Sequence, residues 1–405
     1  MNVLFLSPNY PPEMQQFTRG LAEVGAKVFG VGDTPREALP EHVSRHLAGY
    51  LHVPAILDED DVIRRVTSWL GTTTPDRVEG LWEVVALLAA RLRERFGVTG
   101  MSVDTVTGFR DKVVMKGRVE AAGLRVPRTQ RVRTATEIRA FAASAGFPII
   151  VKPVDGAGGT DTWRIGSPAE LEEILPRVRH LPEASVEEFV TGKEFTYETL
   201  CVAGRPLFES VSTYFPNVLE ARKQEWISPI IYTFRDPTAD EFSGGRAMGR
   251  AALRALGMGT GMSHMEWFKR PDGEVVFGEI ACRPPGANMV DLMNYACDAD
   301  LFREWARVVV DGRFAADKPR PWNAAIVFKR AKGEGKIRGV EGLESFVRRF
   351  RPWIARVDLL PIGAPRRDWT RTFLADGNVV VRHPDPAVCL EMAQDAAATI
   401  HLYAS

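Results

Sequence analysis

The segment 264–279 constrains the fold more than any other. It reads His-Met-Glu-Trp-Phe-Lys-Arg-Pro-Asp-Gly-Glu-Val-Val-Phe-Gly-Glu, two strand-forming runs on either side of Asp272-Gly273. That dipeptide is a strong signal for a two-residue hairpin turn, whose central residues need positive φ. Such a turn pairs Phe268 with Phe277 and Glu266 with Glu279, and places all four on one face. Carboxylates directly opposite each other have Cβ atoms roughly 4.5–5.5 Å apart and repel, more so beside phenylalanines. A divalent cation removes the conflict. Hard carboxylate oxygens suit Mg²⁺, which commonly takes one or two carboxylates together with substrate phosphates. The alternative is a bulge that turns one glutamate toward water.

A second constellation is 151–160, Val-Lys-Pro-Val-Asp-Gly-Ala-Gly-Gly-Thr. An apolar strand delivers Lys152 into a loop holding Asp155, Gly156, Gly158, Gly159 and Thr160. Glycines let successive backbone N–H groups converge on an anion, and the lysine adds a positive charge for phosphate oxygens. The loop lacks the terminal G-K-[ST] of a Walker A motif. Taken alone it also fits a flexible turn after an edge strand. Three further segments carry charge in unusual settings. The run 186–194 holds Glu187, Glu188 and Glu194 around Phe189 and Val190, and runs into 195–198, which ends at Glu198. Such glutamates can accept from an adenine amino group and ribose hydroxyls, or form a solvated strand face. Arg283 lies four residues past Glu279 in a Pro-Pro-Gly turn. A fixed guanidinium there would stabilise a phosphate or an oxyanion, the alternative being a surface arginine. The stretch 214–232 sets Arg222 and Lys223 among prolines, as a carboxylate-gripping loop or an exposed charged one.

Along the chain, a short apolar strand at 3–6, a helical pattern with Phe17, Leu21 and Val24, and a second strand at 28–31 predict an α/β, Rossmann-like start. It contains no G-x-G-x-x-G. A helix is expected at 84–92, and the first domain spans 1–108. A small α+β unit follows at 109–182, with capping boxes at Thr134–Glu137 and Ser167–Glu170. A strand-rich unit spans 183–312 and a tail 313–405, where a hairpin is expected at 373–381 around Asp376-Gly377 before a final helix. The 405 residues suit about two to four compact units.

A formal net charge of +0 gives no electrostatic case for nucleic acid or an anionic membrane as partner. The four cysteines are widely spaced, as for reduced thiols in a cytoplasmic protein, and the seven histidines show no metal-ligand spacing. No apolar run approaches the ~18 residues of a membrane span. The first residues lack the basic flank of a signal peptide.

Taken in order, these segments resemble the ATP-grasp superfamily over about 109–312, closest in wording to its carboxylate–amine ligases that act on amino acids or peptides. The resemblance implies a fold in which ATP lies between two α+β subdomains, behind a Rossmann-like domain and ahead of a C-terminal segment. Asp111-Lys112 resembles the first ATP lysine, Lys152 the second, and the loop 155–160 the mobile phosphate cover. The stretch 187–190 resembles the adenine hinge, and Glu194 the ribose ligand. Glu266 and Glu279 match the paired Mg²⁺ ligands, and Arg283 the closing arginine. Where many members carry a third ligand, asparagine, this chain has Ala281, with Asn288 as a substitute. The implied reaction phosphorylates a small-molecule carboxylate with ATP and joins it to an amine. A homodimer is compatible with the resemblance. Alternatives are an ATP-grasp kinase or carboxylase, or a non-catalytic nucleotide-binding module.

Overall fold

The computed structural model describes residues 1–155, 161–221, 223–316, 319–369 and 375–405. The loop positions Gly156, Gly158, Gly159 and Thr160, and Arg222, lie outside the described residues.

The chain opens as its apolar pattern dictates. Strands Asn2–Leu6, Lys27–Gly32, Leu47–His52 and Arg77–Gly80 form a parallel sheet in which the first strand lies between the second and the fourth. Helix Met14–Glu23 turns Phe17 and Leu21 inward against Phe302 and Trp305 of helix Leu301–Asp311. The helices approach so closely that a Cβ on Gly20 would lie 2.7 Å from the Phe302 carbonyl oxygen. The opposite face packs on Val62, Val66, Leu88 and Leu92. The expected 84–92 helix runs from Ala86 to Phe96, after a 3₁₀ turn at Glu83–Val85. Helix Val103–Arg110 crosses the expected division at 108/109.

A four-stranded antiparallel sheet follows, in the order Thr129–Val132, Ala184–Glu188, Ile149–Pro153, Trp163–Ile165. Its helix Ala135–Ala145 begins with the capping box of Thr134 and Glu137, and Ser167 caps Pro168–Ile174. Strand Ala184–Glu188 pairs inside this sheet, although it lies beyond the division expected at 182/183.

The largest sheet has eight antiparallel strands. Their order is Val275–Ala281, Gly261–Lys269, Lys193–Val202, Arg205–Phe215, Ile230–Thr233, Asn323–Phe328, Gly377–His383 and Ile354–Leu359. The last three belong to the segment 313–405, so the tail extends this sheet. The hairpin expected at 373–381 is corrected. Phe373 lies outside the described residues, and Gly377–His383 pairs with Ile354–Leu359 and Asn323–Phe328. Asp376 is not a solvated turn residue. It is buried and accepts from the backbone N–H groups of Ala331 and Arg367, and those bonds override its turn propensity. The final helix is Pro386–Thr399.

No helix among the described residues is long and apolar enough to cross a membrane. Cys201, Cys282, Cys297 and Cys389 are free thiols.

Candidate functional site

The hairpin across Asp272-Gly273 forms, with one change of register. The turn is wider than two residues: Gly273 donates to the Arg270 carbonyl at 2.9 Å, and Lys269 faces Val275. Phe268 therefore faces Val276, and Phe277 faces Trp267, which corrects the expected Phe268–Phe277 pair. A bulge at Gly278 restores the offset, so Glu266 and Glu279 still face each other. A side chain at Gly278 could not fit, because its Cβ would lie 2.7 Å from the Glu266 carbonyl oxygen.

The neighbouring strand Lys193–Val202 completes the acidic face. Its Glu194, Thr196 and Glu198 lie opposite Phe268, Glu266 and His264. Alternation along each strand collects Glu194, Glu198, His264 and Glu266 on one side, next to Glu279. Burial, and then the charge of Glu266, push the Glu194 carboxyl up to about 8. Burial would lower His264, but hydrogen bonds and charge from Glu198 and Glu266 raise it to about 9. Its Nδ1 donates to Glu198 at 3.0 Å, and its Nε2 lies 3.8 Å from Glu266.

The cations come from two other elements. Asp111 caps helix Lys112–Ala121 by accepting from the N–H groups of Val113 and Val114, both at 3.0 Å. This places Lys112 at the first helical position and Lys116 one turn later on the same face. Lys112 Nζ lies 3.8 Å from Glu279, and its backbone N–H donates to Val154 at the end of the Lys152 strand. Lys152 Nζ lies 3.1 Å from Glu187 and 3.5 Å from Glu279. Burial would push the Glu279 carboxyl up, but the charges of Lys112, Lys152 and Lys116 hold it at about 2.

The stretch 187–190 divides its work. Glu187 points inward, where Lys116 pairs with it at 2.5 Å. Glu188 pairs with Arg125 at 2.6 Å and accepts from the Arg128 backbone at 3.0 Å. Phe189 and Val190 line a cavity of about 560 Å³, together with Lys152, Glu194 and Lys223. A second cavity of about 170 Å³ is lined by Arg283, His264, Tyr214, Ala281 and Met289. Lys112, Val218, Glu266 and Glu279 line both. Arg283 is paired there with Glu83 of the first domain, which also faces Arg110 at 3.1 Å. Burial opposes ionisation of Glu83, but Arg283 and Arg110 hold its carboxyl below the ordinary range.

Asn288 reaches neither cavity lining; it has φ 55° ahead of helix Met289–Cys297. Asp155 is exposed, 3.8 Å from Arg110. Sequence reasoning missed Lys116, Glu83 and His264. Lys116 and His264 carried a signal: one lies four residues from Lys112 on a helix, the other two residues from Glu266 on a strand.

Among the described residues no group of three or more His, Cys, Asp or Glu side chains is arranged to hold a metal. The facing carboxylates Glu266 and Glu279 fit Mg²⁺ that takes its remaining ligands from phosphate and water.

The ATP-grasp domain model matches residues 117–297. The L-arginine-specific L-amino acid ligase of Bacillus subtilis is 28% identical over 242 residues, 58% of this chain and 58% of that protein. The alanine–anticapsin ligase of the same organism is 24% identical over 282 residues, 65% of this chain and 59% of that protein. The chain thus spans less than two thirds of the length of these curated relatives. The crystal structure of an L-amino acid ligase from Bacillus licheniformis superposes with a TM-score of 0.78 at 18% identity, covering 100% of this chain and 98% of that one. N5-carboxyaminoimidazole ribonucleotide synthetase from Thermotoga maritima gives a TM-score of 0.73 at 17% identity, over 100% and 99% of the two chains. The domain match and the shared fold agree with the order of lysines and glutamates in the sequence: residues 117–297 match the ATP-grasp domain, and the fold is that of these ligases.

Proposed function

We propose that this protein is an ATP- and Mg²⁺-dependent ligase that activates a carboxylate as an acyl phosphate and condenses it with an amine, in particular that of an amino acid. The observation that carries the reading is the meeting of two cavities over Glu266 and Glu279. The larger one has the size and lining for a nucleotide, with backbone and aromatic groups at 189–190 for the base and Glu194 for the ribose. Lys112 and Lys152 neutralise and align its phosphates at the junction. The smaller cavity takes the carboxylate substrate, with Arg283 held by Glu83 at its wall. Glu266 and Glu279 would hold Mg²⁺, which would supply positive charge to offset that developing on the transferred phosphate.

A substrate carboxylate oxygen attacks the γ-phosphorus, the bond to the β-phosphate oxygen breaks, and ADP leaves. Such transfer needs positioning and charge stabilisation rather than a protein nucleophile. The amine nitrogen then attacks the acyl carbon, loses a proton, and phosphate departs with its oxygen. Arg283 stabilises the oxyanion formed in that step. The superfamily's relatives named above as amino acid ligases support an amino acid as a reactant.

The test is product analysis with ATP, Mg²⁺ and pooled amino acids and small carboxylic acids. The reading expects ADP and phosphate only when a pool is present, with a product mass equal to two components minus water. AMP and pyrophosphate would point to adenylation. A stable phosphorylated product without amide would make the chain a kinase. ATP binding without turnover in any pool would favour a binding module.

A further inference from the structure

The chain beyond the matched domain holds the wall of the larger cavity through a buried arginine that lies behind it. Arg330 follows strand Asn323–Phe328 and is 8% exposed. Its Nη1 donates to the carbonyl oxygens of Ala221 at 3.0 Å and Gln224 at 2.9 Å. Its guanidinium lies over the Trp369 ring, 4.7 Å from the centroid. The two carbonyls belong to the stretches 217–221 and 223–225. Asn217, Val218, Leu219, Glu220, Lys223 and Gln224 from these stretches line the larger cavity. Val218 also lines the smaller cavity. A second arginine of the tail, Arg366, pairs with Glu225 and lies 3.6 Å from the buried Asp376. Neither Arg330 nor Arg366 lines either of these two cavities.

The physical need is clear from helix Val218–Ala221, which has four residues. A helix this short leaves its carbonyls without intrahelical partners, and its own propensity cannot hold it in place. A buried guanidinium supplies a partner for the last of them, at Ala221, and charged donors make the stronger hydrogen bonds. The wall is thus tied to the tail at Arg330 and at Arg366.

We propose that Arg330 is a positioning residue for nucleotide binding, fixing the wall formed by 217–221 and 223–225 from outside the ATP-grasp domain. The inference rests on the nucleotide reading of the larger cavity. Its test is calorimetric titration of ADP with Mg²⁺ into wild type, Arg330→Met, Arg330→Lys and Lys329→Met, together with KM for ATP and kcat. Lys329 is the control: it is buried beside Arg330 but donates to Ala396 and Ala397 at the end of the last helix. Arg330→Met raises the ADP Kd about tenfold or more, as expected for loss of charged hydrogen bonds, and raises KM for ATP more than it lowers kcat. Arg330→Lys gives an intermediate Kd, and serves as the comparison if the methionine variant does not fold. Lys329→Met keeps the wild-type Kd. Wild-type Kd in both Arg330 variants, or equal weakening by Lys329→Met, overturns the inference while leaving the nucleotide reading intact. Failure of the wild type itself to bind ADP overturns both.

Discussion

Lys116 Nζ lies 2.5 Å from Glu187 Oε1, and both side chains are buried. The pair joins helix Lys112–Ala121 to strand Ala184–Glu188 of the four-stranded sheet, and Glu187 in turn holds Lys152. Burial would push the Glu187 carboxyl up, but Lys116 and Lys152 hold it at about 2. Burial lowers Lys116 to about 8 against the attraction of Glu187. Removing one member of a buried pair strands the other charge. Lys116→Met should cost about 2–4 kcal/mol in urea denaturation, at the low end because Lys152 remains beside Glu187. The double variant Lys116→Met, Glu187→Gln should lose less than Lys116→Met alone. Strict additivity of the two single changes would mean that the pair is not coupled.

Gly278→Ala places a Cβ 2.7 Å from the carbonyl oxygen of Glu266. Backbone cannot yield as a flexible side chain can. The variant should lose about 1–3 kcal/mol and shift Glu266 relative to Glu279, with a fall in kcat. Unchanged stability and kcat would show that the bulge does not set the carboxylate pair.

Glu194 makes stability depend on pH. Its folded-state value is about 8, against an ordinary 4.5, because burial and Glu266 disfavour the carboxylate. A raised folded value contributes stability that is complete below 4.5 and is lost as pH rises through 8. With no nucleotide added, the Tm advantage of wild type over Glu194→Gln should be largest near the acid end, shrink with rising pH, and level off above about pH 9. A constant difference across that range would refute the assignment.

Glu279→Gln removes a carboxylate charge that Lys112 and Lys152 face. Mg²⁺-dependent turnover should be abolished while the circular dichroism spectrum and cooperative unfolding persist. Normal turnover would rule out the metal assignment.

Arg283→Lys loses the guanidinium fork beside Glu83. Arg283 lines the smaller cavity and not the larger one. Steady-state kinetics should show kcat lower by about 10²–10³-fold, with the ADP Kd little changed. Equal loss in both would move Arg283 into nucleotide binding.

The sequence by itself determined the elements whose signals are local. Alternation and the Asp272-Gly273 turn set a hairpin with Glu266 opposite Glu279, and Asp111 placed Lys112 at a helix start. The apolar run 149–151 delivered Lys152, and Thr134 with Glu137 fixed the next helix start. The tertiary structure decided what depends on pairing between distant segments. The bulge at Gly278 compensates for a turn wider than its dipeptide signal, so the carboxylate pair was legible while the Phe268–Phe277 pair was not. Glu187 and Glu188 are adjacent and chemically alike. Only the sheet's two faces send one to Lys116 and the other to Arg125. Arg283 meets Glu83 across 200 residues, and Arg330 meets Ala221 across 109. Contacts at such separation leave no period or spacing in the chain, because they arise from how whole sheets pack.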